Sequence, residues 1–165
     1  MQEISFIDPS NIVYSDEAGI DDNEVPPTGW APVGERCNAE KKAERKNRYN
    51  IIAALNCNKL FASFCFEGYS NKEIYEVYVE RILIPVLVPG QVLIIDNASF
   101  HKSAKIIALV ESVGCRVIFL PPYSPDLNPI EHWWSALKQR IRRASETTAH
   151  FFDAVVNVLS EMCMY

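Results

Sequence analysis

The stretch LPPYSPDLNPIEHWWSALK, residues 120–138, carries the signals that decide the fold of this chain. It begins at the end of an apolar strand, passes through a proline-rich loop and continues as a helix. Asn128 is expected to cap that helix, because Asn favours the cap position and Pro129 suits the first helical turn. Glu131 then lies in the first turn, so this stretch delivers a carboxylate on a helix beside a strand.

Two other carboxylates occur at strand-like runs earlier in the chain. Asp16 stands in IVYSDEAG, residues 12–19, and Asp96 ends QVLIID, residues 91–96. Ligands of open sheets with parallel strands collect at the carboxyl ends of those strands, so both positions are typical of a binding site. If the two strands are parallel neighbours, their carboxylates face each other across one strand spacing, roughly 5 Å.

Two carboxylates at that separation repel each other unless a divalent cation neutralises them. Mg²⁺ suits such a site because it takes oxygen ligands and keeps waters and phosphate oxygens in its shell. Two ions about 4 Å apart could activate an attacking oxygen and stabilise a leaving one, with Glu131 completing the ligand shell of the second ion. The repulsion also leads us to expect that Asp96→Asn stabilises the metal-free protein.

Each acid has a structural explanation when it is taken alone. Asp16 or Asp96 could simply form a turn at the end of its strand. Glu131 could belong to a capping box, because it is the third residue after Asn128. The positions of all three acids at element boundaries, in the order that the fold requires, favour a shared site.

The remaining pattern predicts an α/β fold. Strands are predicted at residues 11–18, 49–57, 59–66, 91–96 and 115–120, the second and third being antiparallel about Asn58. Helices are predicted at residues 71–84, with Ser70 as the cap, at 103–114, from 129 onward, and at 148–163. This order is typical of a ribonuclease-H-like mixed five-stranded sheet with helices on both faces. We expect residues 1–165 to form a single domain.

Composition narrows the class of protein further. The chain has 165 residues, of which 48% are hydrophobic and 22% are charged, as in globular domains. No apolar run has the length of a membrane span, and the N-terminus lacks the pattern of a signal peptide, so we expect a cytoplasmic protein without a membrane partner. The five cysteines include no CxxC pair, which argues against a structural zinc site or a disulfide framework.

The motifs together resemble the catalytic domain of DDE transposases, in particular the mariner-like superfamily that includes many bacterial insertion-sequence transposases. The resemblance rests on YSDEAG (14–19), LIIDNASFHKS (93–103) and FLPPYSPDLNPIEHWWSALK (119–138), and GWAPVGE (29–35) resembles the hairpin after the first Asp. Between Asp96 and Glu131 lie 34 residues, 97–130, a spacing associated with this branch of the family.

The resemblance implies a ribonuclease-H-like fold in which Asp16, Asp96 and Glu131 are the catalytic and metal-binding residues, with two Mg²⁺ or Mn²⁺ ions. It implies cleavage of DNA at transposon ends and strand transfer into target DNA, in the bacterial cytosol or nucleoid. A structure-selective nuclease of the same fold and a non-catalytic remnant that only binds a partner are the alternatives. Family members normally carry an N-terminal helix-turn-helix DNA-binding domain. None fits ahead of Asp16, so we expect a separate domain or fragment to supply it, and a homodimer is a further expected partner.

Several polar residues are candidates for contact with DNA or its phosphates. Asn97, His101 and Lys102 follow the second Asp, although a lone His after a strand is more often a loop or cap residue. Two basic clusters, at residues 36–48 and 138–143, supply the candidates Arg36, Lys41, Lys42, Lys138 and Arg142. Such a cluster can equally be a solvated face. Because the formal net charge is −5, binding of DNA by this chain alone should be weak.

Overall fold

A computed structural model of the chain describes residues 4–22, 48–98, 101–122 and 124–163. One mixed sheet has the strand order β3-β2-β1-β4-β5. Its strands are β1 (Ile12–Asp21), β2 (Arg48–Asn56), β3 (Lys59–Glu67), β4 (Val92–Ile95) and β5 (Arg116–Phe119). The first three strands pair in antiparallel fashion, whereas β4 is parallel to both β1 and β5. The predicted mixed five-stranded sheet is confirmed.

A tight turn joins β2 to β3. Its two residues, Cys57 and Asn58, have φ angles of 46° and 60°. Two-residue turns with positive φ match the right-handed twist of the strands they connect, and Asn tolerates this conformation better than most residues. The turn therefore explains the antiparallel pairing predicted about Asn58.

Helices in the described ranges cover the sheet: α1 (Lys72–Tyr78), α2 (Ala104–Ser112), α3 (Ile130–Ser145) and α4 (Phe151–Met162). The first helix continues through a π-helical segment, Val79–Leu83, into a 3-10 turn that contains Pro85. The prediction that Ser70 caps α1 is wrong, because the side chain of Asn71 accepts a 2.9 Å hydrogen bond from the amide of Ile74. No helix in the described ranges has both the length and the apolar character needed to cross a membrane.

Apolar side chains pack against both faces of the sheet. On one face, α3 and α4 bury residues such as Leu137 and Val155 against β1 and β2. On the other face, α1 and α2 bury Tyr75 and Ile106 against the central strands. Full burial of a large apolar side chain stabilises the fold by roughly 1.5–3 kcal/mol. Helices on both faces were expected from the sequence, and they hold the carboxyl ends of the parallel strands in place.

Candidate active site

The parallel pairing of β1 with β4 brings Asp16 and Asp96 to the same level of the sheet. The last paired residues are Ser15 and Ile95, and the two aspartates follow directly. Contrary to the predicted end near residue 18, β1 continues to Asp21 through its pairing with β2. Asp16 therefore lies inside its strand but just beyond the parallel ladder, at the edge where ligands collect.

Glu131 approaches from the first turn of α3. The amide of Glu131 donates a hydrogen bond of 3.1 Å to the backbone oxygen of Asn128, and the intervening Pro129 has helical dihedral angles. The predicted side-chain cap by Asn128 is not seen, since no side chain caps this helix in the described part of the chain. Pro129 starts the helix instead, because its fixed φ suits the first turn and its missing N–H would be unpaired there.

A single pocket of about 490 Å³ is lined by Asp16, Asp96 and Glu131. Its other walls come from the segments that follow β4 and β5 and that precede α3, namely Asn97, Ala98, Leu120, Pro121, Pro122, Ser124 and Asn128. The structure thus brings together the three acids that the sequence singled out. Across the described ranges, no three His, Cys, Asp or Glu side chains are arranged to hold a metal ion as they stand. The acids border the pocket without forming a closed cluster.

Asp16 is the buried member of the three, with a relative exposure of 7%. Its Oδ2 accepts a hydrogen bond of 3.1 Å from Nε1 of Trp134. Burial raises the pKa of Asp16 to about 7, and the negative charges of Glu131 and Glu17 add to this effect. The hydrogen bond from Trp134 works in the opposite direction but does not offset the burial. Placing a full negative charge on Asp16 is therefore unfavourable in the metal-free site.

Asp96 is the more exposed aspartate, since its side chain is 45% accessible. Its Oδ1 accepts a 3.0 Å hydrogen bond from the amide of Ala98 and another from Nδ1 of His101. Burial alone would raise the pKa of Asp96, but these two hydrogen bonds and the charge of His101 hold that pKa below its usual value. Asp96 is thus a stable carboxylate at neutral pH, in contrast to Asp16.

His101 lies behind Asp96 with its side chain fully buried. Nε2 of its ring donates a hydrogen bond of 3.0 Å to Oε2 of Glu17, and its ring centroid is 4.1 Å from that of Tyr75. Burial would lower the pKa of His101, but the hydrogen bonds and charges of Asp96 and Glu17 raise it to about 9. Because an ionised carboxylate can only accept, each ring nitrogen acts as a donor.

The burial of His101 argues against the direct phosphate contact considered for it, because both ring nitrogens are already engaged by protein carboxylates. Among the other candidates, Asn97 lines the pocket, Lys102 is exposed, and Lys138 and Arg142 are half-buried on α3. The remaining candidates and the GWAPVGE hairpin lie outside the described residues: Arg36, Lys41, Lys42 and residues 29–35.

Two residues near the acids received no catalytic role from the sequence: Trp134, which contacts Asp16, and Glu17, which contacts His101. Glu17 follows Asp16 directly, and alternation along a strand turns its side chain to the opposite face, towards His101. Trp134 lies three positions after Glu131 and so on the same face of α3. The spacing to Glu131 was a usable signal for Trp134, whereas nothing local links Glu17 to a histidine 84 positions away.

The sheet order, the acids beyond the parallel β1–β4 ladder and the helices on both faces define a ribonuclease-H-like domain. The chain belongs to the DDE superfamily endonucleases, whose sequence model matches residues 11–151. Members of this superfamily generally depend on divalent metal. The resemblance seen in the motifs is therefore confirmed for the family, and no curated protein matches the chain at a significant level.

Solved transposase and integrase structures share the fold. The Mos1 strand transfer complex aligns with a TM-score of 0.66 and 18% identity, covering 92% of this chain and 46% of the Mos1 chain. The Mos1 transposase paired-end complex with left transposon end aligns with a TM-score of 0.61 and 15% identity, covering 98% of this chain and 55% of the Mos1 chain. The catalytic core domain of BIV integrase aligns with a TM-score of 0.53 and 14% identity, covering 92% of this chain and 82% of the integrase chain. The chain thus spans about half the length of the Mos1 chains.

Proposed function

We propose that this chain is the catalytic domain of a transposase that cleaves DNA strands and transfers them to a target through Asp16, Asp96 and Glu131. The observation that carries the proposal is the convergence of three acids, from β1, from the end of β4 and from α3, on one pocket. Membership of the DDE superfamily and the shared fold with transposase and integrase structures support the reaction class.

The side chains that line the pocket fit divalent cations. Besides the carboxylates, Asn128 is buried, and its Oδ1 accepts no hydrogen bond within the described part of the chain. Carboxylate and amide oxygens are the hard ligands that Mg²⁺ and Mn²⁺ take. The unfavourable charge on Asp16 is also what a cation would compensate. We therefore propose that Asp16, Asp96 and Glu131 hold two Mg²⁺ or Mn²⁺ ions, with Asn128 at the edge of the site.

When bound, two such ions would activate an attacking oxygen and stabilise a leaving oxygen in an in-line displacement at phosphorus. The chain's own residues prepare the site for this reaction. Trp134 holds the carboxyl group of Asp16, and His101 keeps Asp96 ionised. Pro121 and Pro122 form a wall of restricted backbone that fixes one side of the pocket. These groups orient the acids before substrate arrives.

DNA is the proposed substrate, both as transposon ends and as target. The Mos1 structures are complexes assembled on transposon ends, and we carry that substrate class to this chain as part of the proposal. Recognition of specific ends would come from a separate helix-turn-helix domain or fragment. A homodimer of this domain would bring two ends together. Both partners belong to the proposal.

A plasmid assay tests the proposed reaction. Purified chain, alone and with a helix-turn-helix fragment, is incubated with supercoiled DNA and Mg²⁺ or Mn²⁺ to detect nicking. A second reaction offers a 3′-hydroxyl oligonucleotide duplex to detect joining. Asp96→Asn and Glu131→Gln should each reduce nicking and joining by at least about 100-fold. Glu111→Gln, a change at an exposed position of α2, is the matched control and should behave as the wild type.

The outcome also separates the alternatives. Metal-dependent nicking that is lost in Asp96→Asn, together with an absence of joining, would identify a nuclease of the same fold. Metal binding without any cleavage, even with the helix-turn-helix fragment present, would identify a non-catalytic binding module. Equal activity of Glu131→Gln and Glu111→Gln would contradict the proposed triad.

A further inference from the structure

We infer that His101 and Glu17 form a positioning pair that fixes the carboxylate of Asp96 and directs one of its oxygens towards the pocket. The inference deepens the proposed function and rests on it, since the cation role of Asp96 belongs to that proposal. Neither His101 nor Glu17 lines the pocket, so each would act through Asp96 and not on the substrate.

The hydrogen bonds of Asp96 separate its two oxygens. The amide of Ala98 and Nδ1 of His101 both donate to Oδ1. Within the described residues, neither of these donors uses Oδ2, which leaves that oxygen for a ligand in the pocket. An aspartate at the edge of a pocket, with a side chain 45% exposed, would otherwise sample several rotamers. The two hydrogen bonds to Oδ1, on the side away from the pocket, select one of these rotamers.

The imidazole of His101 is itself held from the side opposite Asp96. Its Nε2 donates to Glu17, which lies on β1 next to Asp16 but on the other face of the strand. Its ring packs against Tyr75, whose hydroxyl hydrogen-bonds to Oγ of Ser15 at 3.2 Å.

Glu17 and Ser15 both belong to β1, so the ring is anchored to the strand that carries Asp16. The carboxylate of Asp96 is thereby tied to the position of Asp16 through buried contacts. Groups that hold a metal ligand in this way typically change metal affinity by 10- to 100-fold when they are removed.

Two amide substitutions of His101 separate positioning from packing. The side-chain nitrogen of Asn lies where Nδ1 of His lies, so His101→Asn keeps a donor for Asp96 and loses the contact with Glu17. The nitrogen of Gln reaches the position of Nε2, so His101→Gln keeps the contact with Glu17 and loses the donor for Asp96. Both variants remove the ring from Tyr75, so they share the loss of packing.

The first measurement needs no metal. Hydrogen exchange of the Ala98 amide, followed by NMR, reports whether Asp96 keeps its rotamer, because that amide donates to Oδ1. We expect exchange of this amide to be at least fivefold faster in His101→Gln than in His101→Asn. Both rates are normalised to exchange of the Cys115 amide, which donates a hydrogen bond to the backbone oxygen of Val110. Equal exchange rates in the two variants would overturn the positioning pair.

The second measurement is the Kd for Mn²⁺ by calorimetry. His101→Gln should raise this Kd at least about tenfold, whereas His101→Asn should stay within about threefold of the wild type. Glu17→Gln, which keeps an acceptor but removes the charge, should give a smaller rise than His101→Gln. Equal Mn²⁺ affinities of the Gln and Asn variants, in a wild type that binds through Asp96, would overturn the inference.

The same series distinguishes failure of the inference from failure of the proposed function. If the wild type does not bind Mn²⁺, or if Asp96→Asn binds it equally well, the proposed metal site is wrong. In that case the exchange of the Ala98 amide alone decides whether His101 and Glu17 position Asp96. A faster rate in His101→Gln supports the pair, and equal rates reject it.

Discussion

Trp134 donates a hydrogen bond of 3.1 Å from Nε1 to Oδ2 of Asp16, and this contact joins the helix of Glu131 to the central strand. Trp134 is only 4% exposed and packs in the core between α3, α4 and the sheet. It lies about one helical turn after Glu131, so the position of one side chain sets where the other meets the pocket. Trp134 therefore links Asp16 to the helix that carries Glu131.

Trp134→Phe tests this relationship, because Phe keeps an aromatic ring in the core but lacks the donor. We expect the free energy of unfolding to fall by about 1–2 kcal/mol, as for loss of a buried hydrogen bond. The rate of DNA nicking should fall at least tenfold beyond the decrease that the lower free energy of unfolding would cause by itself. Urea denaturation and the plasmid assay measure the two effects. Trp133→Phe, at the half-buried neighbour, is the control, and an equal loss of nicking there would refute the special role of Trp134.

Asp16→Asn should stabilise the metal-free protein, because burial makes the charge on Asp16 unfavourable. The pKa of Asp16 rises from 3.8 to about 7 on folding, so the wild type loses stability as pH rises through this interval. We expect the variant to gain about 1–3 kcal/mol at pH 8 and almost nothing near pH 4. Urea denaturation in EDTA at both pH values measures the gain. A gain of equal size at both would contradict the assignment to this carboxyl group.

Asp96→Asn should act in the opposite direction at neutral pH. The sequence led us to expect stabilisation through relief of repulsion, but the structure shows Asp96 accepting hydrogen bonds from His101 and Ala98. Its pKa is lowered on folding, so it contributes stability above the usual pKa, and this stability is lost as pH falls. After allowance for screening at a half-exposed site, we expect a loss of about 1 kcal/mol at pH 7. A gain comparable to that of Asp16→Asn would show that repulsion dominates at both positions.

Binding of DNA should depend on Lys138, which lies two helical turns after Glu131 on the same side of α3. If its ammonium contacts phosphate, Lys138→Gln should reduce the slope of log affinity against log salt by about 0.9. Fluorescence anisotropy with duplex DNA between 50 and 200 mM salt measures the slope. Lys72→Gln, on α1 at the other face of the sheet, is the matched control. An equal change of slope in both variants would exclude a specific role for Lys138.

The sheet and the convergence of the acids could be predicted from the sequence, because the patterns that indicate the strands and turns are local. Alternation and apolar runs define the strands, and Asn58 marks the turn between β2 and β3. The parallel pairing of β1 with β4 then follows from the fold class and fixes Asp16 beside Asp96. The exact residue at which a helix begins is harder to predict. Asn71 caps α1 in place of Ser70, and this depends on backbone dihedral angles that composition does not determine.

The surroundings of the acids could not be predicted in the same way. Whether Asp16 is buried, and whether Asp96 is paired, depends on Trp134 and His101, which reach the acids only after the helices and loops have packed. A histidine after a strand gives no indication in the sequence of a glutamate such as Glu17 on a distant strand. For this reason, the effect on stability that we expect from Asp96→Asn changes from a gain, as expected from the sequence, to a loss.

The most direct test of the central claim is the anomalous scattering of Mn²⁺ in crystals of this chain grown or soaked with the ion. We predict anomalous peaks in the pocket, with the ions about 2.1 Å from carboxylate oxygens of Asp16, Asp96 and Glu131. The peaks should disappear in Asp96→Asn and persist in Glu111→Gln. Saturating Mn²⁺ that leaves the pocket without anomalous density, or that binds only away from these three acids, would contradict the proposed metal-dependent triad.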